Sequence, residues 1–127
     1  MNYSVTSKCL SQESLHLVKY PGIGLLESAY EKCLCRELYL RNISFESQKP
    51  LPIEYKGEKL DCGYRLDIVI ENAIILELKS CELIEPIHKA QLLTYLKLTG
   101  LSLGLLLNFN MATMREGIVR LVYEFNR

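Results

Sequence analysis

Asp67 is followed ten residues later by Glu77-Leu78-Lys79, and both lie inside largely apolar runs, Tyr64-Arg65-Leu66-Asp67-Ile68-Val69-Ile70 and Ala73-Ile74-Ile75-Leu76-Glu77-Leu78-Lys79. Each run reads as a strand. The second is apolar on both faces for most of its length, as in a strand covered from both sides in an α/β layer. Alternation puts Ile75, Glu77 and Lys79 on one face and Ile74, Leu76 and Leu78 on the other. A carboxylate and an ammonium in such a strand require partners, because an unpaired ion is costly to desolvate. Antiparallel pairing of the two strands brings Asp67 beside Glu77. Two carboxylates and a lysine at the end of a sheet make a divalent-metal site with an adjacent cation. The plainer alternatives are a solvated strand edge and a buried ion-pair network.

Two helices carry further polar groups. Glu27 has Tyr30 and Glu31 on its side of a helix, at i+3 and i+4. Gln91 and Tyr95 are four apart and share a face of a later helix that follows the Glu77–Lys79 strand, so that face can look back at it. Each also has an ordinary explanation. Glu27 suits the positive end of a helix dipole. Gln91 and Tyr95 suit a solvated edge with a snorkelling aromatic. His88 suits a helix surface or cap, and Arg65 can pair with a neighbouring carboxylate.

The elements that must position these groups follow from periodicity and breakers. Ser11 to Lys19 reads as a short helix interrupted by Pro21-Gly22-Ile23-Gly24. A longer helix starts near Leu25 and ends around Arg41-Asn42, with Leu26, Ala29, Tyr30, Cys33, Leu34 and Leu38 at helical spacing. Phe45 to Tyr55 reads as a strand broken by Pro50 and Pro52, at an edge or with a bulge. Lys56-Gly57-Glu58-Lys59 is a hairpin turn, Leu60 to Ile70 a second strand, Glu71-Asn72 a tight turn and Ala73 to Ser80 a third strand. Pro86 opens a second helix over Ile87 to Leu98 that Gly100 ends. Leu103 to Phe109 is a buried strand, Met111 to Gly117 a loop, and Ile118 to Phe125 a last alternating strand. The expected architecture is α/β: a three-strand meander, a crossover helix and further strands in a mixed sheet flanked by helices.

The bulk numbers fit one domain. The chain has 127 residues, 49% hydrophobic and 24% charged, enough for a core and inconsistent with compositional disorder. No apolar run is long enough for a membrane span, and Met1 to Val5 lacks a signal-peptide pattern, so the expected location is the cytoplasm. Formal net charge is zero and the pI about 6.7, which argues against coating nucleic acid through bulk charge and leaves contact to local placement or a metal ion. The five cysteines, Cys9, Cys33, Cys35, Cys62 and Cys81, have no repeated CxxC spacing and read as reduced thiols, mostly small hydrophobes in or near the core. Cys33 and Cys35 stand about 200° apart on a helix and do not easily share a metal.

Helix with acid, Asp on the second strand, Glu-x-Lys on the third, then helix with Gln-x-x-x-Tyr: this order resembles the PD-(D/E)XK nuclease superfamily. Gly24-Leu25-Leu26-Glu27-Ser28-Ala29-Tyr30 resembles the signature of one single-domain branch, the GxxExxY proteins. Gly63 to Asp67, Glu77-Leu78-Lys79, His88 to Lys97 and Gly104 to Phe109 are similar to the same branch. The resemblance spans the chain from about Leu15 to its end, with the first twenty residues fitting less well.

The resemblance implies a restriction-endonuclease-like core in a single domain over residues 1–127. It implies Mg2+ or Mn2+ held by Asp67 and Glu77, with the Leu78 backbone carbonyl and Glu27 joining directly or through water. Lys79 then positions or deprotonates the attacking water, and Gln91 and Tyr95 orient the acids or touch the phosphate. The function so implied is a metal-dependent nuclease on DNA or RNA. The alternative is a non-catalytic module that recognises nucleic acid or a protein partner, and the apolar last strand would suit a homodimer.

Overall fold

The protein is described by a computed structural model covering residues 27–109 and 117–125. The helix expected over Ser11 to Lys19 lies outside these residues, as does all but the end of the Met111 to Gly117 loop.

Helix α1 (Glu27–Leu40) buries a single stripe, Tyr30, Leu34 and Leu38, at successive i+4 steps. It ends where Asn42 turns left-handed at φ 57°. The N–H groups of Asn42 and Ile43 then donate back to the carbonyls of Tyr39 and Leu38, a glycine-like stop built on asparagine.

Among the described residues seven strands follow: β1 (Phe45–Pro50), β2 (Ile53–Tyr55), β3 (Glu58–Leu60), β4 (Arg65–Ile70), β5 (Ile74–Lys79), β6 (Leu103–Asn108) and β7 (Ile118–Val122). Helix α2 (Pro86–Thr99) separates β5 from β6. The main sheet has the order β1-β4-β5-β6-β7, and β2 and β3 form a separate two-stranded sheet. All neighbours are antiparallel except β5 and β6, whose parallel pairing requires the α2 crossover.

The expected meander therefore needs correction at two points. Phe45 to Tyr55 is two strands in different sheets, because Pro50 ends β1 and Pro52 keeps the next residues out of the ladder. Leu60 to Ile70 is likewise divided. Gly63, left-handed at φ 81°, donates its N–H to Asp61 Oδ1 at 2.9 Å and breaks the chain between β3 and β4. The three meander strands are β1, β4 and β5, with the β2–β3 hairpin inserted. The turn between β4 and β5 is the three-residue loop Glu71-Asn72-Ala73, because Ile70 pairs with Ile74; Glu71 and Asn72 are left-handed at φ 49° and 54°, and the Ala73 N–H donates to the Ile70 carbonyl.

The sheet is covered on both sides. On the α1 face, Tyr30, Leu34 and Leu38 pack with Ile68, Ile70, Leu76, Leu78, Leu107 and Phe109. On the α2 face, Leu92, Tyr95 and Leu96 pack with Leu66, Val69, Ile75 and Leu106. Gly104 is small for a packing reason: a Cβ there would come within 2.9 Å of the Leu92 side chain. Helix α2 begins at Pro86, with the Glu85 N–H donating to His88 Nδ1 at 2.9 Å, so His88 caps the helix, one of the roles its sequence position suggests.

Among the described residues Cys33, Cys35, Cys62 and Cys81 are free. Only Cys35 packs against the core, where burial pushes its thiol up to about 11, with Glu31 adding to the shift. Cys33 and Cys81 are partly buried, and Cys62 is exposed because the loop before β4 carries it. No helix among the described residues is long and apolar enough to cross a membrane.

The α1 face turns on one aromatic pair. Tyr30 and Phe109 are both fully buried, with ring centroids 4.4 Å apart and an interplanar angle of 9°. Phe109→Ala is expected to cost about 3–5 kcal/mol through lost burial and the cavity left behind. Urea unfolding followed by circular dichroism checks this: the midpoint falls while the slope is kept.

Candidate active site

The ladder between β4 and β5 pairs Ile70 with Ile74, Val69 with Ile75 and Ile68 with Leu76, and goes no further. The same register sets Asp67 across from Glu77, as the sequence predicts. There the strands are joined by side chains instead of backbone. Asp67 Oδ2 accepts the Leu78 N–H at 2.8 Å, and Glu77 Oε1 accepts the Asp67 N–H over a longer 3.4 Å. Meanwhile β4 stays with β1, pairing Leu66 with Lys49 and Arg65 with Pro50. The sheet thus splits at Asp67, and two carboxyl groups stand at the split.

Face alternation also slips here. Ile68 packs on the α1 side, yet Leu66, two residues earlier, packs on the α2 side. On the neighbouring strand Ser47 pairs with Ile68 and Lys49 with Leu66, which puts Gln48 across from Asp67. Gln48 is left-handed, with φ 50°, inside β1. A non-glycine residue there costs about 1–3 kcal/mol and marks a local distortion that the surroundings must hold.

Glu77 is 5% exposed. Burial, then the Asp67 charge and the hydrogen bond between the two carboxyls, push its pKa up to about 9, with Lys79 offsetting only part. Burial beside a neighbouring carboxylate thus favours the protonated form of Glu77. Lys79 is half-buried at the end of β5. That end is fastened to β6: the Phe109 N–H donates to the Lys79 carbonyl at 2.8 Å, and the buried Asn108 amide bonds both the N–H and the carbonyl of Cys81.

The helices approach the pair from opposite faces. On the α1 side, a cavity of about 210 Å³ is lined by Glu27, Ser28, Glu31, Gln48, Asp67 and Leu78. Glu27 Oε1 accepts the Ser80 N–H at 3.1 Å, which ties the start of α1 to the residue after Lys79. On the α2 side, a more apolar cavity of about 370 Å³ is lined by Ile53, Tyr64, Gln91, Thr94, Tyr95 and Leu98. The Tyr95 phenol is raised by burial and by the charges of Glu77, Tyr64 and Asp67, while its hydrogen bond with Gln91 works against the rise. Asp67 and Glu77 therefore stand side by side, Glu27 shares the α1-side cavity with Asp67, and Tyr95 with Gln91 lies in the α2-side cavity within electrostatic reach of both acids. Arg65 does not take part: it reaches Asp61 Oδ1 at 3.2 Å, the ordinary pairing its sequence position allows.

Among the described residues no three His, Cys, Asp or Glu side chains cluster as a ready metal cage. The donor chemistry nevertheless fits a hard divalent cation. Two adjacent carboxyl groups offer the oxygen donors that Mg2+ or Mn2+ takes, with water able to complete the shell. Sequence reasoning passed over Gln48, which no motif marks, and left Glu31 as a mere neighbour of Glu27. The approach of β1 to α1 shows them, together with the left-handed turn at Gln48.

A model of the PD-(D/E)XK nuclease superfamily matches residues 5–121. The chain belongs to this superfamily. No curated protein and no solved structure matches it. The mixed sheet flanked by two helices is consistent with the superfamily's nuclease-like α/β fold.

The raised pKa of Glu77 has a measurable consequence. Because the folded-state pKa of Glu77 lies above its usual 4.5, its stabilising contribution is complete below that pH and is lost as pH rises towards about 9. Thermal melts of metal-free wild type are expected to fall across this window. Glu77→Gln, which keeps an amide against Asp67 without ionising, should flatten the profile and melt higher at pH 8.

Proposed function

We propose that this domain is a metal-dependent phosphodiester hydrolase acting on nucleic acid, and that within its superfamily it belongs with the GxxExxY proteins. The observation that carries the reading is the Asp67–Glu77 carboxyl pair at the split between β4 and β5, with Lys79 two residues further along the Glu77 face. The Gly24-to-Tyr30 signature and the later runs from Gly63 to Phe109 support the narrower placement.

Asp67 and Glu77 would hold Mg2+ or Mn2+, with the Leu78 carbonyl and Glu27 as further oxygen donors. The bound cation would supply Lewis-acid polarisation of a phosphate oxygen and acidify a water. Lys79 would position that water, or help deprotonate it if itself neutral; as the ammonium it would offset charge that develops on the phosphate. Gln91 and Tyr95, hydrogen-bonded to one another, would orient the acids or contact the phosphate. The Leu78 N–H fixes the Asp67 carboxylate, so the ligand geometry is set before substrate arrives. With zero net charge the domain relies on the cation and local groups to meet phosphate. A cytoplasmic location and self-association through the outer edge of β7 accompany this reading.

Cleavage of single- and double-stranded DNA and of RNA, with Mg2+ or Mn2+, tests it. Wild type is expected to cleave at least one substrate. Asp67→Asn, Glu77→Gln and Lys79→Met should each lower the rate by about 100-fold or more while the variants still fold. Nucleic-acid binding without cleavage, unchanged in Asp67→Asn, would replace the nuclease by a recognition module.

A further inference from the structure

We propose that Glu31 is a second helix-borne acid of the Asp67–Glu77 site and that Gln48 is its positioning residue, fixing that carboxylate towards the site's divalent cation. The inference rests on the metal-dependent reading above.

The contact itself is specific. Gln48 Nε2 donates to Glu31 Oε1 at 2.6 Å, across seventeen residues of sequence and between different elements. A short amide–carboxylate bond of this kind is charge-assisted and holds the acceptor oxygen in place.

The backbone is distorted to make it. Phe45 packs on the α1 side, and Ser47 pairs with Ile68, which packs on that side too. Regular alternation would therefore turn Gln48 towards α2, away from Glu31. The left-handed φ of 50° interrupts that alternation and accompanies a side chain that reaches α1 instead. Other left-handed non-glycine residues, Asn42, Lys56, Glu71 and Asn72, stand at turns or at the helix end, where such conformations are ordinary.

The placement matches the site. Glu31 and Gln48 line the same cavity as Glu27, Asp67 and Leu78. Burial raises the Glu31 carboxyl and the Asp67 charge raises it further, while the Gln48 bond opposes the rise. Glu31 thus faces Asp67 electrostatically. One oxygen of Glu27, by contrast, is occupied by the Ser80 N–H at 3.1 Å. A cation between the carboxyls would meet Glu31 as a negative charge already oriented, directly or through water.

Calorimetric titration of Mn2+ into the full chain tests this, with wild type, Glu31→Gln, Gln48→Gly, Asp67→Ala and the surface control Glu37→Gln. Melting temperatures are recorded in parallel. Glycine adopts a positive φ without strain, so Gln48→Gly should keep or raise the melting temperature while removing the amide. The expected result is Mn2+ affinity weakened about tenfold in Glu31→Gln and in Gln48→Gly, with Glu37→Gln unchanged. Wild-type affinity in both variants, with binding lost in Asp67→Ala, would overturn the role of Glu31 and Gln48 and leave the metal-dependent reading standing. No Mn2+ binding by wild type would overturn both.

Discussion

The structure depends on how β4 and β5 separate. Up to Ile68 and Leu76 the two strands satisfy one another through backbone hydrogen bonds. Beyond that point each must find other partners, because a buried amide left unpaired is destabilising. Asp67 takes the Leu78 N–H and Glu77 reaches the Asp67 N–H. Two carboxyl groups are thus drawn into a largely buried seam by the backbone's own requirement, and their proximity together with burial raises the pKa of Glu77. The folding demand and the chemical capacity have the same origin.

Everything around the split keeps it in place. On one face α1 is seated by Tyr30 against Phe109 and fastened through Glu27 to Ser80. On the other, α2 lies over β6 closely enough to require Gly104 beneath Leu92. Asn108 and Phe109 secure the backbone after β5, so the strand carrying Glu77 and Lys79 is held on its β6 side even where β4 has left it. The rigid edge of the split is β5 and the distorted edge is β4 with β1. This agrees with Gln48 being the strained residue, since it lies on β1 opposite Asp67.

Much of this was legible in the residues. Alternation in Ile74 to Lys79 assigned Glu77 and Lys79 to the face of Ile75, and the packing of Ile75 with Tyr95 and Leu96 agrees. Glu71-Asn72 marked the turn, but a two-residue turn there would set Asp67 opposite Leu76; Ala73 joins the loop, and that register brings Asp67 to Glu77. The crossover helix followed from an apolar strand on either side of it, and the i, i+4 spacing of Gln91 and Tyr95 placed both on one cavity wall. The division of Phe45–Tyr55 and Leu60–Ile70 was less legible. Proline and glycine mark a break, but they do not say that the segment between them leaves the sheet to pair with itself.

Local periodicity and shared faces assigned the helices, most of the strands and the faces of the polar residues on β4, β5 and α2, but not the inserted β2–β3 hairpin. Packing alone set the split of the sheet at Asp67, the raised pKa of Glu77, the approach of Glu27 and Tyr95 from opposite faces, and the departure of Gln48 from its alternation towards Glu31. Each of these depends on which non-local groups meet after packing. Desolvation, charge repulsion and the satisfaction of orphaned amides act only once distant segments are brought within hydrogen-bonding distance.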